Sequence, residues 1–266
     1  MKLGSIGYIN VLPVTLGLET GQVALDGELV RGDPNELNRL TRLGLLDATA
    51  VSSIEYLSCC KDYRLVRGVA LSSPAAVQSV KLFSLYPPQE LAGHKVAVTR
   101  ASATSRALLQ VLLPHIEVVD LPTTSLGELS LDQPAVLLIG DQALTGAPVA
   151  PYEMDLGLAW KERTGLPMVF AVWLARRGMG DEPERLLQES KEWGLAHHHL
   201  VLEESVRRTG LARQPLQDYF AGLRYELGPQ ELKSLELFYR LAVQRGLVDG
   251  APRIEDLMQE EKAWSA

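Results

Sequence analysis

Three stretches of this chain place small polar side chains where an apolar run gives way to a helical pattern. They are Ala50-Val51-Ser52-Ser53-Ile54-Glu55, Thr99-Arg100-Ala101-Ser102-Ala103-Thr104-Ser105 and Leu138-Ile139-Gly140-Asp141-Gln142. Backbone N–H groups at a helix start lack intrahelical acceptors, and the helix dipole makes that end positive, so serine and threonine hydroxyls there complete a cradle for an anion. Each charge-assisted hydrogen bond contributes roughly 1.5–3 kcal/mol, so a few of them hold a carboxylate without a buried arginine. At any single turn, serine and threonine serve more often as helix caps. Three turns in one topological place tilt the balance, and Ser52, Ser53, Ser102, Thr104 and Ser105 are therefore candidate substrate-binding residues.

Asn10 ends another apolar run, in Gly7-Tyr8-Ile9-Asn10-Val11-Leu12-Pro13. Its amide both donates and accepts, which suits a substrate hydroxyl, with a plain turn asparagine as the competing reading. Asp141 is read as a base or a helix cap, with the cap favoured. Ser79, Lys81 and Ser84 in QSVKLFS are assigned to one strand face, which either lines a cleft or meets solvent. Arg100, Arg106 and Lys81 are the cations at hand near these groups.

Histidine chemistry is hard to place. His94 and His115 stand apart from the turns, and the side chains of the run His197-His198-His199 would diverge by about 100° per residue on a helix. The chain lacks a Walker loop, a GxGxxG, a GxSxG and an HExxH. Cys59 and Cys60 are the only cysteines and are adjacent, which offers neither a disulfide framework nor a zinc ligand set. No metal and no cofactor is expected, and catalysis here would need little help from titratable side chains.

The elements that would carry these turns alternate. Residues 3–9, 29–31, 48–51, 64–71 and 75–83 read as strands, and Asp33-Pro34-Asn35-Glu36 is a strong helix start, with a cap, a first-turn proline and a glutamate at the third position. After Tyr86-Pro87-Pro88 the pattern resumes with strands at 95–99, 117–120, 135–139 and 168–175 and helices at 104–113 and 152–163. Beyond residue 181 the periodicity is helical almost throughout. Alternation of this kind predicts mostly parallel sheets with helices on both faces, as two α/β lobes around a cleft and a helical C-terminal segment. Ligands of such sheets sit beyond the carboxyl ends of the strands, where the polar turns lie. The expected division is residues 1–85 with 173–266 for one lobe and 86–172 for the other.

The 266 residues carry 26 basic and 33 acidic side chains, for a net charge of −7, which argues against nucleic acid and anionic membrane as partners. Hydrophobic residues at 46% and charged residues at 22% describe an ordinary globular chain. Apolar runs such as 169–175 fall far short of the ~20 residues needed to span a bilayer, and the first residues show no export signal. A cytoplasmic location is expected, with a small molecule as partner and a homodimer left open.

Residues 7–13, DATAVSSIEYL (47–57), QSVKLFS (78–84), 102–109, 138–144 and 155–173, the last ending in TGLPMVFAVW, together resemble the menaquinone-biosynthesis family of the futalosine route, specifically its chorismate dehydratases. The resemblance covers roughly the first two-thirds of the chain and departs from the family pattern at Leu158, Arg163 and Met168, outside the polar turns. It implies a type II periplasmic-binding-protein-like fold used as an enzyme, a lyase that converts chorismate to 3-[(1-carboxyvinyl)oxy]benzoate. It also implies that the substrate's own enolpyruvyl carboxylate takes the proton. Asn10 is then the expected catalytic residue, with Ser52, Ser53, Ser79, Ser102, Thr104, Ser105 and Asp141 at the substrate. The alternatives are the 1,4-dihydroxy-6-naphthoate synthase of the same route, expected to need a histidine base in the cleft, and a non-catalytic small-carboxylate-binding protein, expected to carry an export signal.

Overall fold

The computed structural model describes residues 1–99, 102–121, 129–146 and 148–250. The first part runs β1 (Lys2–Ile6), α1 (Leu12–Glu19), β2 (Glu28–Gly32), α2 (Pro34–Arg42), β3 (Ala48–Ser52), a short α3 (Tyr56–Cys59) and β4 (Tyr63–Ser73). The middle runs β5 (Val80–Ser84), β6 (Lys95–Thr99), α4 (Ala103–Leu112), β7 (Glu117–Leu121), β8 (Ala135–Ile139), α5 (Gly140–Thr145), β9 (Tyr152–Asp155) and α6 (Leu156–Thr164). The chain then gives β10 (Met168–Arg176) and the helices α7 (Glu182–Ala196), α8 (His198–Thr209), α9 (Arg213–Ala221) and α10 (Pro229–Gln244).

The strands form two five-stranded sheets of the same design, ordered β2-β1-β3-β10-β4 and β7-β6-β8-β5-β9. In each, four strands point the same way and the fourth in the row runs against both its neighbours. Strands β3 and β8 are buried along their whole length, as apolar runs covered on both faces must be. Close approach in the first sheet depends on Gly4, where an added Cβ would lie 2.3 Å from Thr49 Oγ1.

Each antiparallel strand is the one that has just crossed from the other sheet. The crossings fall between Ser73 and Val80 and between Asp155 and Met168, earlier than the expected boundaries at 86 and 172. The proline pair marks a 3-10 turn (Pro88–Glu90) after β5 instead of the crossing. Asp155 marks both crossings: its carboxylate accepts Val77 N–H at 3.0 Å and Gln78 N–H at 2.6 Å, and caps α6 through Leu158 N–H at 3.0 Å. Gln78 itself takes a left-handed φ of 62°.

Two element assignments change with the structure. Residues 75–79 are not part of a strand, and residues 152–155 form β9 against β5, with the helix beginning only at Leu156. The predicted start at Asp33 is present, with Asp33 Oδ1 accepting from Glu36 N–H at 2.9 Å. The helical tail returns to the first sheet: Ser72 and Arg224 exchange backbone hydrogen bonds of 2.9 and 2.8 Å, and Ala70 N–H donates to Tyr225 O. This clip on the edge of β4 brings the tail's tyrosines under the carboxyl ends of the strands. Among the described residues no helix is long and apolar enough to cross a membrane.

Candidate active site

The carboxyl ends of the parallel strands in the two sheets face one another across a cleft with about 510 Å³ of space between protein atoms, its open mouth included. Its polar lining is Tyr8, Asn10, Ser52, Ser79, Ser102 and Ser105, over an apolar bed that includes Ile6, Leu71, Val77, Ile139 and Phe170. Among the described residues no aspartate, glutamate, lysine, arginine or histidine lines it. Among the described residues the lining is uncharged, a few hydrogen-bonding side chains set in an apolar bed.

Four hydroxyls keep a proton free for the cleft. Ser102 caps α4: Ser105 N–H donates to Ser102 Oγ at 3.2 Å, and Ser102 Oγ donates to Ser105 Oγ at 2.9 Å. The Ser105 proton is thereby left for the cleft, at the positive end of a ten-residue helix. Ser52 is 4% exposed, its N–H donates to Asn38 Oδ1 at 3.3 Å, and its hydroxyl has no partner among the described residues. The 3-10 turn Ser53–Glu55 that follows is not capped by that hydroxyl. Ser79 Oγ accepts from Tyr219 O–H at 2.9 Å, so its own proton is free to point inward. Tyr8 is the fourth. Burial, then Asp141 and Asp33, push its phenol up to about 12, so it stays a proton-bearing donor at neutral pH.

Tyr8 also joins the two sheets. Its ring lies flat over Gly140, where an added Cβ would sit 3.3 Å from three ring atoms and where φ is +58°. Beside it, Ile9 N–H donates to Asp141 Oδ1 at 3.3 Å. Asp141 is thus not itself part of the cleft lining. Burial raises its carboxyl above the ordinary range, partly offset by the Ile9 hydrogen bond and by Arg208.

Ser53 and Thr104, both expected at the substrate, are 0% exposed and bond to each other at 3.1 Å. Ser53 Oγ donates to Val169 O at 2.8 Å, so the shared proton comes from Thr104, whose oxygen accepts Ile54 N–H at 3.1 Å. Tyr239 O–H of α10 donates to Ser53 O at 2.6 Å. These two hydroxyls fasten the first sheet to α4 and do not open on the cleft.

Two of the three cations at hand are occupied elsewhere. Lys81 faces Glu153 at 3.4 Å and Arg106 donates to Asp120 at 2.7 Å, while Arg100 lies outside the described residues. Ser84, three positions from Lys81, falls on the opposite strand face and donates to Tyr86 O. At the junction of α7 and α8, His197 stacks on Trp193 with ring centroids 4.4 Å apart and lies 6.3 Å from the tilted ring of His199, while His198 turns away to meet Phe220 edge-on. Leu158, Arg163 and Met168 also lie off the cleft lining. Sequence reasoning passed over Tyr8, although it sits in the quoted stretch 7–13, and over Tyr219 and Tyr225, which no local pattern distinguishes from core aromatics.

Residues 1–244 match the model of a family described as menaquinone biosynthesis. A Thermus thermophilus protein named chorismate dehydratase is 33% identical over 259 residues, covering 89% of this chain and 93% of its own length. Another protein of that organism, named 1,4-dihydroxy-6-naphtoate synthase, is 28% identical over 85% of this chain and 87% of its own. Among solved structures, a protein of Archaeoglobus fulgidus is similar with a TM-score of 0.76 at 21% identity, over 93% of this chain and 98% of the other. The alkanesulfonate-binding protein of Xanthomonas axonopodis pv. citri, bound to MOPS, gives 0.63 at 14% identity over 96% and 94%. A Candida albicans protein described as having the generic periplasmic binding protein structural fold gives 0.57 at 8% identity over 97% and 93%. These likenesses establish the fold, and the two-lobed periplasmic-binding-protein-like architecture expected from sequence is the one observed.

Proposed function

The chain belongs to the menaquinone biosynthesis family, and from that premise we propose that it is a hydro-lyase converting chorismate to 3-[(1-carboxyvinyl)oxy]benzoate and water. The observation that carries this reading is the cleft itself: an apolar bed carrying six polar side chains, with no charged side chain among the described residues that line it. A dianionic substrate brings its own base, and such a cleft need only hold it and stabilise charge as it develops.

Water is lost between ring carbons 3 and 4. The C3 proton leaves to the substrate's enolpyruvyl carboxylate, and the electron pair spreads through the ring diene toward the C1 carboxylate. The C4–O bond then breaks, the departing hydroxide takes up a proton as water, and the ring becomes aromatic. Ser52, Ser102, Ser105 and Tyr8 hold the two carboxylates. Hydrogen bonds that strengthen as the C1 carboxylate gains charge lower the barrier. Asn10 orients the departing hydroxyl, with Ser79 beside it. Holding the enolpyruvyl arm over C3 makes proton transfer intramolecular, which supplies several kcal/mol of the barrier reduction.

Ser53 and Thr104 keep the lobes in register, and Asp141 with Ile9 forms a second link between them. The functional lobes divide where the chain changes sheets, between 73 and 80 and between 155 and 168. A cytoplasmic location accompanies this assignment. The naphthoate synthase reading gains nothing from the site, because it calls for a histidine base and no histidine lines the cleft. The test is incubation of the purified protein with chorismate, followed by proton NMR. Appearance of the aromatic enolpyruvyl ether supports the assignment. Unchanged chorismate with a folded protein overturns it.

A further inference from the structure

The helical C-terminal segment is far in sequence from every polar turn, yet its phenols stand directly behind the cleft. Tyr225 O–H donates to the main-chain oxygen of Asn10 at 3.0 Å, and Tyr219 O–H of α9 donates to Ser79 Oγ at 2.9 Å. The two contacts differ in kind. A main-chain carbonyl keeps its direction with or without a donor, whereas a serine hydroxyl rotates to suit its partners.

Ser79 has little else left to settle. Its N–H donates to Val77 O at 2.7 Å, and its carbonyl accepts Gly140 N–H at 2.8 Å. The two residues before it are held by the Asp155 carboxylate. The backbone is thus fixed on both sides, and the remaining variable is where the hydroxyl proton points. Tyr219 is 1% exposed, so its own proton needs an acceptor within the protein, and Ser79 Oγ takes it. With that lone pair filled, the Ser79 proton is directed away from Tyr219, and Ser79 lines the cleft. Burial raises the Tyr219 phenol above its ordinary range, so it polarises its acceptor without giving up its proton.

We propose that Tyr219 is a positioning residue that makes Ser79 a one-way donor into the cleft, aimed at the departing hydroxyl of the substrate. The substrate named here rests on the dehydratase assignment, whereas the hydrogen bond from Tyr219 to Ser79 and its direction do not. Hydrogen bonds in series polarise each other, so Ser79 donates more strongly as charge grows on the departing oxygen. Without the phenol O–H, the Ser79 hydroxyl turns freely and meets that oxygen with a lone pair as readily as with its proton.

Chorismate turnover is compared in the full chain for wild type, Tyr219→Phe, Ser79→Ala, the double variant and Tyr239→Phe. Ser79→Ala should lower kcat by about 10²-fold, and Tyr219→Phe by about 10-fold, because it weakens the donor without removing it. KM should change by less than about twofold in each, and the double variant should match Ser79→Ala, since Tyr219 then has nothing to direct. Tyr239→Phe removes an equally buried phenol O–H, from Ser53 O, and should leave kcat near wild type. A wild-type kcat in Tyr219→Phe, losses that multiply in the double variant, or an equal kcat loss in Tyr239→Phe overturns the proposal. If Tyr219→Phe fails to fold, Ser79→Ala decides, because unchanged kcat there overturns it.

One readout needs no substrate. A thiol introduced by Ser79→Cys accepts the same phenol hydrogen bond, which favours the thiolate. Followed by the ultraviolet absorbance of the thiolate, and read against the same chain with Ser79 intact, it should ionise about one pH unit higher once Tyr219→Phe is added. An unmoved titration overturns the direction assigned to the hydrogen bond. Inactivity of the wild type toward chorismate overturns the assignment of substrate while leaving this titration to decide the positioning role.

Discussion

The turn after β3 and the start of α4 are made of the same residues, and each divides them between two tasks. In the first, Ser52 opens on the cleft while Ser53, one position on, is sealed against Val169 and Thr104. In the second, Ser102 and Ser105 open on the cleft while Thr104 between them is sealed against Ser53 and Ile54. A hydroxyl-rich helix start is therefore not one feature but two interleaved ones. One face lines the cleft and the other clamps the two lobes together. Composition announces that donors are present; only the direction of each Cα–Cβ bond assigns the task.

That contrast is open to attack from both sides. The largest effect is expected on the cleft side: Asn10→Ala should lower kcat/KM by about 10²- to 10³-fold with an unchanged thermal midpoint. A comparable fall in stability would move Asn10 into the framework. Next, Ser102→Ala with Ser105→Ala should raise KM by about 10- to 100-fold through lost charge-assisted hydrogen bonds. Loss of the helix cap adds about 1 kcal/mol of destabilisation, measurable by urea unfolding.

The clamp side should give the opposite signature. Thr104→Val keeps the shape, strands the Ile54 N–H, and should cost about 1–3 kcal/mol of stability with kcat changed less than about threefold. A variant of normal stability that no longer binds chorismate would erase the distinction between the two faces.

The smallest effect concerns the link between Ile9 and Asp141 and depends on pH. Burial raises the Asp141 carboxyl above its ordinary value of 3.8, so the folded chain holds that proton more tightly than the unfolded one. Its contribution to stability is fully present below the ordinary value and is lost as pH rises through the raised one. Asp141→Asn should accordingly gain on wild type in urea unfolding between acid and neutral pH. A difference that stays flat, or shrinks, would mean that Asp141 is not a carboxylate paying for burial.

Much of this architecture was legible because periodicity and local caps are written in neighbouring residues. The runs 95–99 and 135–139 are strands as read, and Asp33 caps α2 as its spacing requires. The lobe boundary was misplaced because prolines signal a break without saying which kind. The Asp155 carboxylate that staples both crossings acts across 77 and 78 residues of sequence. Asn10, Ser52, Ser79, Ser102 and Ser105, picked from composition and resemblance, line the cleft. Ser53 and Thr104 carried the same signal and the other task. Tyr219 and Tyr225 escaped because their role arises from a clip between residues 72 and 224, a contact invisible to any window along the chain.

The position of β10 has a consequence for biosynthesis on the ribosome. It fills the gap between β3 and β4, so the first sheet cannot be completed when β4 ends at Ser73 and must wait for Met168, 168 − 73 = 95 residues later. At about 5–20 residues per second that interval is on the order of 5–20 s. Meanwhile every strand of the second sheet, β5 to β9, is contiguous in the chain and emerges as a complete set. The lobe translated second is thus able to fold first, and the N-terminal half spends the delay with the edges of β3 and β4 unpaired, the stretch of synthesis in which a chaperone has most to protect.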